Sequence, residues 1–179
     1  MKDVIYTDIQ TLLNNNIDIT DILEKIRSIM EIEYPDYVEW FDEKVIPNLT
    51  FGERNIILVF KKNELIGFMN LKKTKKERKM SNLYIKPSFY YNNFNNKYFD
   101  KMLELSTEWL ETNEPIIIIS EKDYDKCAFI LYIKSWDVSR IMRKNGTIYY
   151  VLNGYDEFKQ IEKSIIKKRK KRINEKQYN

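Results

Sequence analysis

The sequence predicts one α/β domain built on a single mixed, mostly antiparallel sheet with a strand–helix–strand crossover at its centre. Three observations carry this. Short β-branched runs bounded by polar turns form hairpins in the first half and near the end of the chain. One long amphipathic helix, 96–112, stands between two strands. No internal repeat and no Pro/Gly/Ser-rich linker divides the 179 residues, a length that suits one domain. The expected organisation is a domain over 1–154 followed by a C-terminal helix with a basic tail over 155–179.

Thr20 through Met30 reads as a helix, with Thr20 able to cap it and Ile22, Ile26 and Ile29 or Met30 at helical spacing. Pro35 suits a second helix start, because the missing N–H costs nothing in the first turn. Tyr37, Trp40, Phe41 and Val45 continue that helix, and Pro47 is expected to end it. Asn55–Phe60 and Leu65–Leu71 are strands joined by the polar turn Lys62-Asn63-Glu64. Lys72–Lys79 is a charged loop, and Met80–Ile85 is a third strand stopped by Pro87. Tyr98, Met102, Leu105 and Trp109 form the apolar line of the 96–112 helix, widened by Phe99, Leu103 and Leu110. Pro115 opens Ile116–Ile119, whose lack of alternation marks a strand buried on both faces. A helix over Tyr124–Lys134 follows. Strands Trp136–Met142 and Thr147–Leu152 then turn at Asn145-Gly146. Asp156–Arg172 reads as a last helix with Phe158, Ile161 and Ile165 on one face.

Composition narrows the chemistry. The chain has no His and one Cys. That excludes imidazole-based nucleophile pairs, His-based metal sites and Cys/His zinc modules, so no metal is expected. A lone Cys forms no internal disulfide and fits a reducing, cytoplasmic setting. No apolar run reaches the ~18 residues of a membrane span, and the N-terminus lacks the apolar core of a signal peptide. Net charge is +4 but unevenly spread. Residues 1–50 hold four Lys/Arg against eleven Asp/Glu, and residues 51–100 hold eleven against four. The basic middle fits an anionic ligand. AT-rich codon usage explains much of the Lys and Asn equally well.

The segments YPDYVEWFDEKVIPNLTFGERNIILVF, ELIGFMNLKK, NLYIKP with the helix after it, and PIIIISE together resemble the GNAT superfamily of N-acetyltransferases over roughly residues 34–152. Glu64-Leu65-Ile66-Gly67 fits the family's g-x-i-v-G, and Leu83-Tyr84-Ile85-Lys86-Pro87 fits its l-y-V-x-P. The resemblance implies the acyl-CoA N-acyltransferase fold and acetyl-CoA as acyl donor. It implies a cofactor wall at Tyr84, Ile85 and Lys86, with a strand N–H polarising the thioester. It also implies a pyrophosphate loop over Tyr90, Tyr91, Asn92, Asn93, Phe94, Asn95 and Asn96. That loop departs from the family's Q/R-x-x-G-x-G/A. Tyr90 stands at the Arg/Gln position, and Asn93 and Asn95 stand at the glycines. Asn tolerates left-handed backbone better than other non-Gly residues, yet its side chain crowds a backbone cradle. The loop aromatics packing onto the helix, with nothing bound, is the plainer account. Against it, Lys86 and Lys97 flank the loop, and Lys72–Lys79, six cations and Glu77, lies close along the chain.

By the same resemblance, Tyr132 in Ala128-Phe129-Ile130-Leu131-Tyr132 matches the family's helix Tyr acid, although its spacing to Ser135-Trp136 is one residue short. Glu121, closing the fifth strand beside Ser120, is the candidate general base; an N-terminal helix carboxylate is the structural alternative. Cys127 has nothing to activate it and reads as packing. Asp36, Glu39, Asp42 and Glu43 lie on the helices that cover the acceptor side in that fold, and a solvated face explains them as well. Lys167–Arg172 is six consecutive cations, able to contact RNA or DNA phosphates or to stand as a solvated end. No membrane contact is expected, and a homodimer is left open. The expected function is acetyl transfer from acetyl-CoA to a primary amine on a small molecule or protein. The alternative is a GNAT-fold domain with weakened catalysis that binds nucleic acid or a protein through its tail.

Overall fold

The computed structural model describes residues 3–34, 36–89, 97–112, 115–121, 124, 136–144 and 147–154. Seven strands form one sheet: β1 Val4–Asp8, β2 Arg54–Lys61, β3 Glu64–Lys73, β4 Arg78–Ile85, β5 Ile116–Ser120, β6 Trp136–Lys144 and β7 Thr147–Gly154. Their order is β1-β2-β3-β4-β5-β7-β6, and among the described residues β4–β5 is the one parallel pair. The helices are α1 Ile9–Asn14, α2 Thr20–Glu33, α3 Tyr37–Trp40, a π-turn Phe41–Val45 that runs on into α4 Ile46–Thr50, and α5 Lys97–Leu110. The α/β sheet with its central crossover is as the sequence predicts.

The sheet separates two apolar layers. On one face α5 lays Tyr98, Phe99, Met102, Leu103 and Leu110 onto Ile57, Met69, Leu83, Ile85, Ile117 and Ile119. On the other, α1–α4 lay Ile9, Ile26, Met30, Phe41 and Leu49 onto Ile56, Leu58 and Phe68. Both faces of β2 and β3 are therefore buried, which is why those strands read as unbroken apolar runs. Lys62 and Asn63 both take positive φ, 50° and 66°, in the two-residue β2–β3 turn. That conformation gives the right twist for a tight hairpin.

Two differences from the sequence reading have physical causes. β1 and α1 were not anticipated. β1 is a five-residue edge strand, and α1 has six residues held by other groups. Asp8 caps Thr11 N at 3.0 Å, and buried Asn55 accepts from Gln10 N at 3.1 Å while donating to Asp8 at 2.7 Å. Pro47 does not end the second helix. The π-turn shifts the hydrogen-bond ladder ahead of it, so Pro47 falls in the first turn of α4, where an absent N–H costs nothing. The helices expected over 124–134 and 156–172 and the tail lie outside the described residues, apart from Tyr124.

Candidate functional site

The site begins where two strands part. β4 pairs with β5 at Lys79↔Ile116, Met80↔Ile117 and Ser81↔Ile118, and no further. Beyond Ser81 the β3 register reads Asn70↔Ser81 and then Phe68↔Tyr84, so Asn82 and Leu83 both oppose Met69. This is a β-bulge, and Asn82 sits in left-handed backbone at φ 51°. A bulge bends its strand and sharpens the twist, which turns the end of β4 away from β5. A slot opens between residues 82–85 on one side and Ile119–Glu121 on the other.

Backbone polarity faces this slot. Lys86 N donates to Ile66 O at 2.7 Å. An antiparallel ladder alternates, so Gly67↔Ile85 is a non-hydrogen-bonded pair whose N–H and C=O turn away from each other. The N–H of Ile85 therefore points from β3 toward the β5 side. Gly67 makes the close approach possible: a Cβ there would lie 3.1 Å from Tyr84 O. The 3-10 turn Pro87–Phe89 leads on from β4, and Phe89 meets Tyr98 edge-to-face at 5.9 Å. The first turn of α5 thus stands at the open end of the slot. A helix N-terminus carries the positive end of the dipole.

The predicted residues divide. Ile85 is buried in the α5-side core, and Tyr84 is on the opposite face, stacked on Phe68 at 5.2 Å. Lys86 binds through both ends, its N–H to Ile66 O and its Nζ to Glu64, whose hydrogen bond raises the ammonium pKa. Glu121 is exposed at the end of β5 and accepts from Tyr150 Oη at 3.3 Å. Tyr90, Tyr91, Asn92, Asn93, Phe94, Asn95, Asn96, Tyr132 and Cys127 lie outside the described residues, as does Lys167–Arg172. Asp42 is paired with Arg27 at 2.6 Å, and Glu43 lies 3.8 Å from Lys44.

The basic run Lys72–Lys79 lies at the opposite end of β4 from Pro87, about 23 Å away at ~3.3 Å per residue over the seven steps from Arg78 to Ile85. Its cations serve that end. Lys73 Nζ reaches Trp109 O at 3.2 Å and Glu111 at 2.6 Å, at the negative end of α5. Lys72 pairs with Glu77 at 2.7 Å.

Two features were missed by sequence reasoning. Tyr150, on β7 opposite Ile119, carries its phenol to Glu121, and the ring of Tyr124 lies 4.7 Å from its own. Adjacent tyrosines at 149 and 150 occupy a strand, and nothing in residue type chooses which of them faces α5. On the α1–α4 face, buried Asn70 donates to Tyr37 Oη at 3.0 Å, while its Oδ1 has no partner. Asn70 pairs with Ser81, the last β4 residue before the slot. Burial raises the Tyr37 phenol pKa, against smaller opposing effects from Asn70 and Arg54. A cleft of about 490 Å³ between α2 and the β2–β3 turn is lined by Asp21, Glu24, Lys25, Ser28, Ile29, Glu64 and Leu65. Among the described residues no group of three or more His, Cys, Asp or Glu could hold a metal ion, and no helix is long and apolar enough to cross a membrane.

No family model and no curated protein matches the sequence. Solved structures match in fold. A GNAT-family acetyltransferase of Bacillus cereus is 12% identical with a TM-score of 0.57, over 84% of this chain and 95% of that one. The spermidine/spermine N-acetyltransferase SpeG of Vibrio cholerae is 11% identical with a TM-score of 0.54, over 84% and 93%. The PaiA N-acetyltransferase of Thermoplasma acidophilum, solved with coenzyme A, is 16% identical with a TM-score of 0.53, over 85% and 99%. What these share with the chain is its fold, the GNAT acetyltransferase fold that the sequence resemblance implied.

Proposed function

From the GNAT acetyltransferase fold as premise, we propose that this protein transfers an acetyl group from acetyl-CoA to a primary amine. The observation that carries the reading is the slot between β4 and β5, bulged open at Asn82–Leu83, with the Ile85 N–H turned into it and the first turn of α5 at its mouth. A thioester lying in the slot places its carbonyl oxygen on the Ile85 N–H. That donor stabilises the oxyanion formed when the amine attacks. The α5 terminus receives the pyrophosphate. Lys97, at that terminus, supplies charge, because Lys72–Lys79 is too distant. In the cleft, where Lys86 already pairs Glu64, Asp21 and Glu24 against the one Lys25 favour a cationic acceptor. Spermidine is the first acceptor to test, being the substrate class named for SpeG.

The test is thermal unfolding with acetyl-CoA, followed by turnover. A ligand at 100 times its Kd stabilises by about 2.7 kcal/mol. For a chain of this size that raises Tm by about 5–11 °C. A shift with acetylated spermidine or lysine peptide as product supports transfer. A shift without product on any amine supports the weakened, binding-only alternative. No shift at millimolar acetyl-CoA refutes both the slot and the donor.

A further inference from the structure

We propose that Arg54, Tyr37 and Asn70 form a binding site for a carboxylate with an N–H close beside it, and that this group is the far end of the acceptor. The second clause alone rests on the acetyl-transfer reading.

The site lies on the α1–α4 face of the sheet. Arg54 stands two residues before Ile56 on β2, and Ile56 belongs to that apolar layer. Its half-buried guanidinium lies 5.3 Å from the centre of the Trp40 ring on α3. Ile56 pairs with Asn70 on β3, so Arg54 and Asn70 are diagonal neighbours on one face. Tyr37, one turn before Trp40, accepts from Asn70 Nδ2 at 3.0 Å. One short helix thus sets an aromatic ring against the guanidinium and a phenol against the amide.

All three groups have hydrogen-bonding capacity that the chain does not use. Among the described residues the Arg54 guanidinium meets no hydrogen-bond acceptor. A cation–π contact uses none of its five N–H groups. Glu77 and Glu53 act on its charge, but Glu77 is hydrogen-bonded to Lys72 at 2.7 Å. The Tyr37 hydroxyl accepts from Asn70, and among the described residues its own proton has no acceptor. Burial raises the phenol pKa, so the group stays a neutral donor. Asn70 is 1% exposed, and its Oδ1 has no partner. Buried polar groups are normally paired, so orphans gathered at one point mark a place for a ligand.

The unused groups specify its chemistry. The Arg54 fork fits a carboxylate, Tyr37 adds one O–H donor, and Asn70 Oδ1 takes an N–H. The C-terminal residue of a peptide supplies both parts, its amide N–H standing two bonds from the carboxyl carbon. The local charge agrees. Arg54, Lys72 and Lys79 act on Glu77, with Glu53 beside Arg54, which is three cations against two carboxylates. The strand register sets the length. Asn70 pairs with Ser81, and Gly67, three residues along β3, pairs with Ile85. Arg54 pairs with Lys72, five residues from Gly67. At ~3.3 Å per residue the site therefore lies about 10–17 Å from Ile85, the reach of an extended chain of about three to five residues. The acceptor is thus a short peptide amine with a free C-terminus, and spermidine leaves the site unfilled.

The experiment titrates tetra-alanine, its C-terminal amide, and tetra-alanine N-methylated at its last residue into the full chain by calorimetry. Tetra-alanine should bind about tenfold or more tighter than the amide, and about threefold or more tighter than the N-methylated peptide. Arg54→Met should bind acid and amide alike, and Asn70→Leu should bind the methylated and unmethylated acids alike. The three ligands on the wild type decide the site even where a variant does not fold. Equal affinity for acid and amide, no binding of the acid at millimolar concentration, or an acid preference kept in a folded Arg54→Met protein would overturn it. Turnover with acetyl-CoA decides the second clause: acetylation of the acid with a higher kcat/KM than the amide supports it, and equal values overturn it. Tetra-alanine bound with the expected preferences but never acetylated leaves the site standing and removes the transfer reading.

Discussion

Gly67→Ala tests whether the slot is built by close backbone approach. The added Cβ would lie 3.1 Å from Tyr84 O, 3.5 Å from Ile85 Cγ1 and 3.7 Å from Val59 Cβ. Ordinary contact begins near 3.4 Å, so about 0.3 Å must be found. Val59 is fully buried and cannot recede. The carbonyl of Tyr84 can move only with β4, whose next free space is the slot. Overpacking of this kind costs about 1–3 kcal/mol, and replacing a strand glycine returns about 0.5–1 kcal/mol. The net loss is about 0.5–2 kcal/mol, or roughly 1–8 °C in Tm for a chain of this length.

The kinetic consequence separates this site from others. A 1 Å misplacement of a reacting group costs about 10²-fold, so a few tenths of an ångström at Ile85 should lower kcat by about 3–10-fold. Gly52→Ala is the matched control. Gly52 has φ +69° and nothing within 4 Å of an added Cβ. It should lose about 1–2 kcal/mol through left-handed strain alone, with kcat unchanged. Thermal unfolding and steady-state acetyl-CoA kinetics on the two variants decide the matter. A Gly67→Ala protein as stable and as fast as wild type would refute the close-approach argument, as would equal kinetic losses at Gly52.

Other outcomes follow from the same geometry. Tyr37→Phe leaves buried Asn70 with no partner for either end of its amide, and should cost about 1–3 kcal/mol in urea unfolding; adding Asn70→Leu should recover most of that. Because burial raises the Tyr37 phenol pKa, the folded state keeps a proton that the unfolded state sheds above about pH 10. Stability should hold below that pH and fall above it, less steeply in Tyr37→Phe. Charge reversal at Lys75 and Lys76 should leave the acetyl-CoA KM within about twofold at 0.15 M salt, since ~23 Å far exceeds the ~8 Å screening length. Asn93→Gly with Asn95→Gly should tighten acetyl-CoA binding in a calorimetric titration if side-chain crowding weakens the loop; unchanged affinity would place the phosphates elsewhere.

Much of the fold was legible because its signals are local. Strands β2, β3 and β4 fall within two residues of their predicted ends, as does α5, since apolar runs and a single amphipathic line need no partner to be recognised. Lys62-Asn63 was readable as a turn from residue type alone. β1 was not, because a short edge strand has one neighbour, and its identity comes from pairing Val4–Asp8 with Ile57–Lys61. The insertion of β7 between β5 and β6 was equally hidden. A hairpin announces its turn, but not which of its two strands meets the rest of the sheet. Closeness in sequence likewise does not fix place: Lys72–Lys79 lies at one end of β4 and Pro87 beyond the other.

This contrast bears on how the site tolerates divergence. The slot depends on a bulge, a strand that parts from its neighbour, one turned N–H and a helix terminus, all of which are backbone features. Side chains can change around them provided Gly67 stays small and the two apolar layers stay filled. Overlap in fold with solved structures at 11–16% identity needs only that backbone and those two layers. The Glu121–Tyr150 contact has no such backbone basis. Glu121, just past the end of β5, and Tyr150, on β7, meet through side chains alone, so one substitution undoes the contact without disturbing the sheet. Binding of acetyl-CoA and its turnover should therefore come apart under mutation. Changes at Gly67 should weaken both together, whereas Glu121→Gln should lower turnover by about 10²-fold or more and leave the acetyl-CoA thermal shift intact.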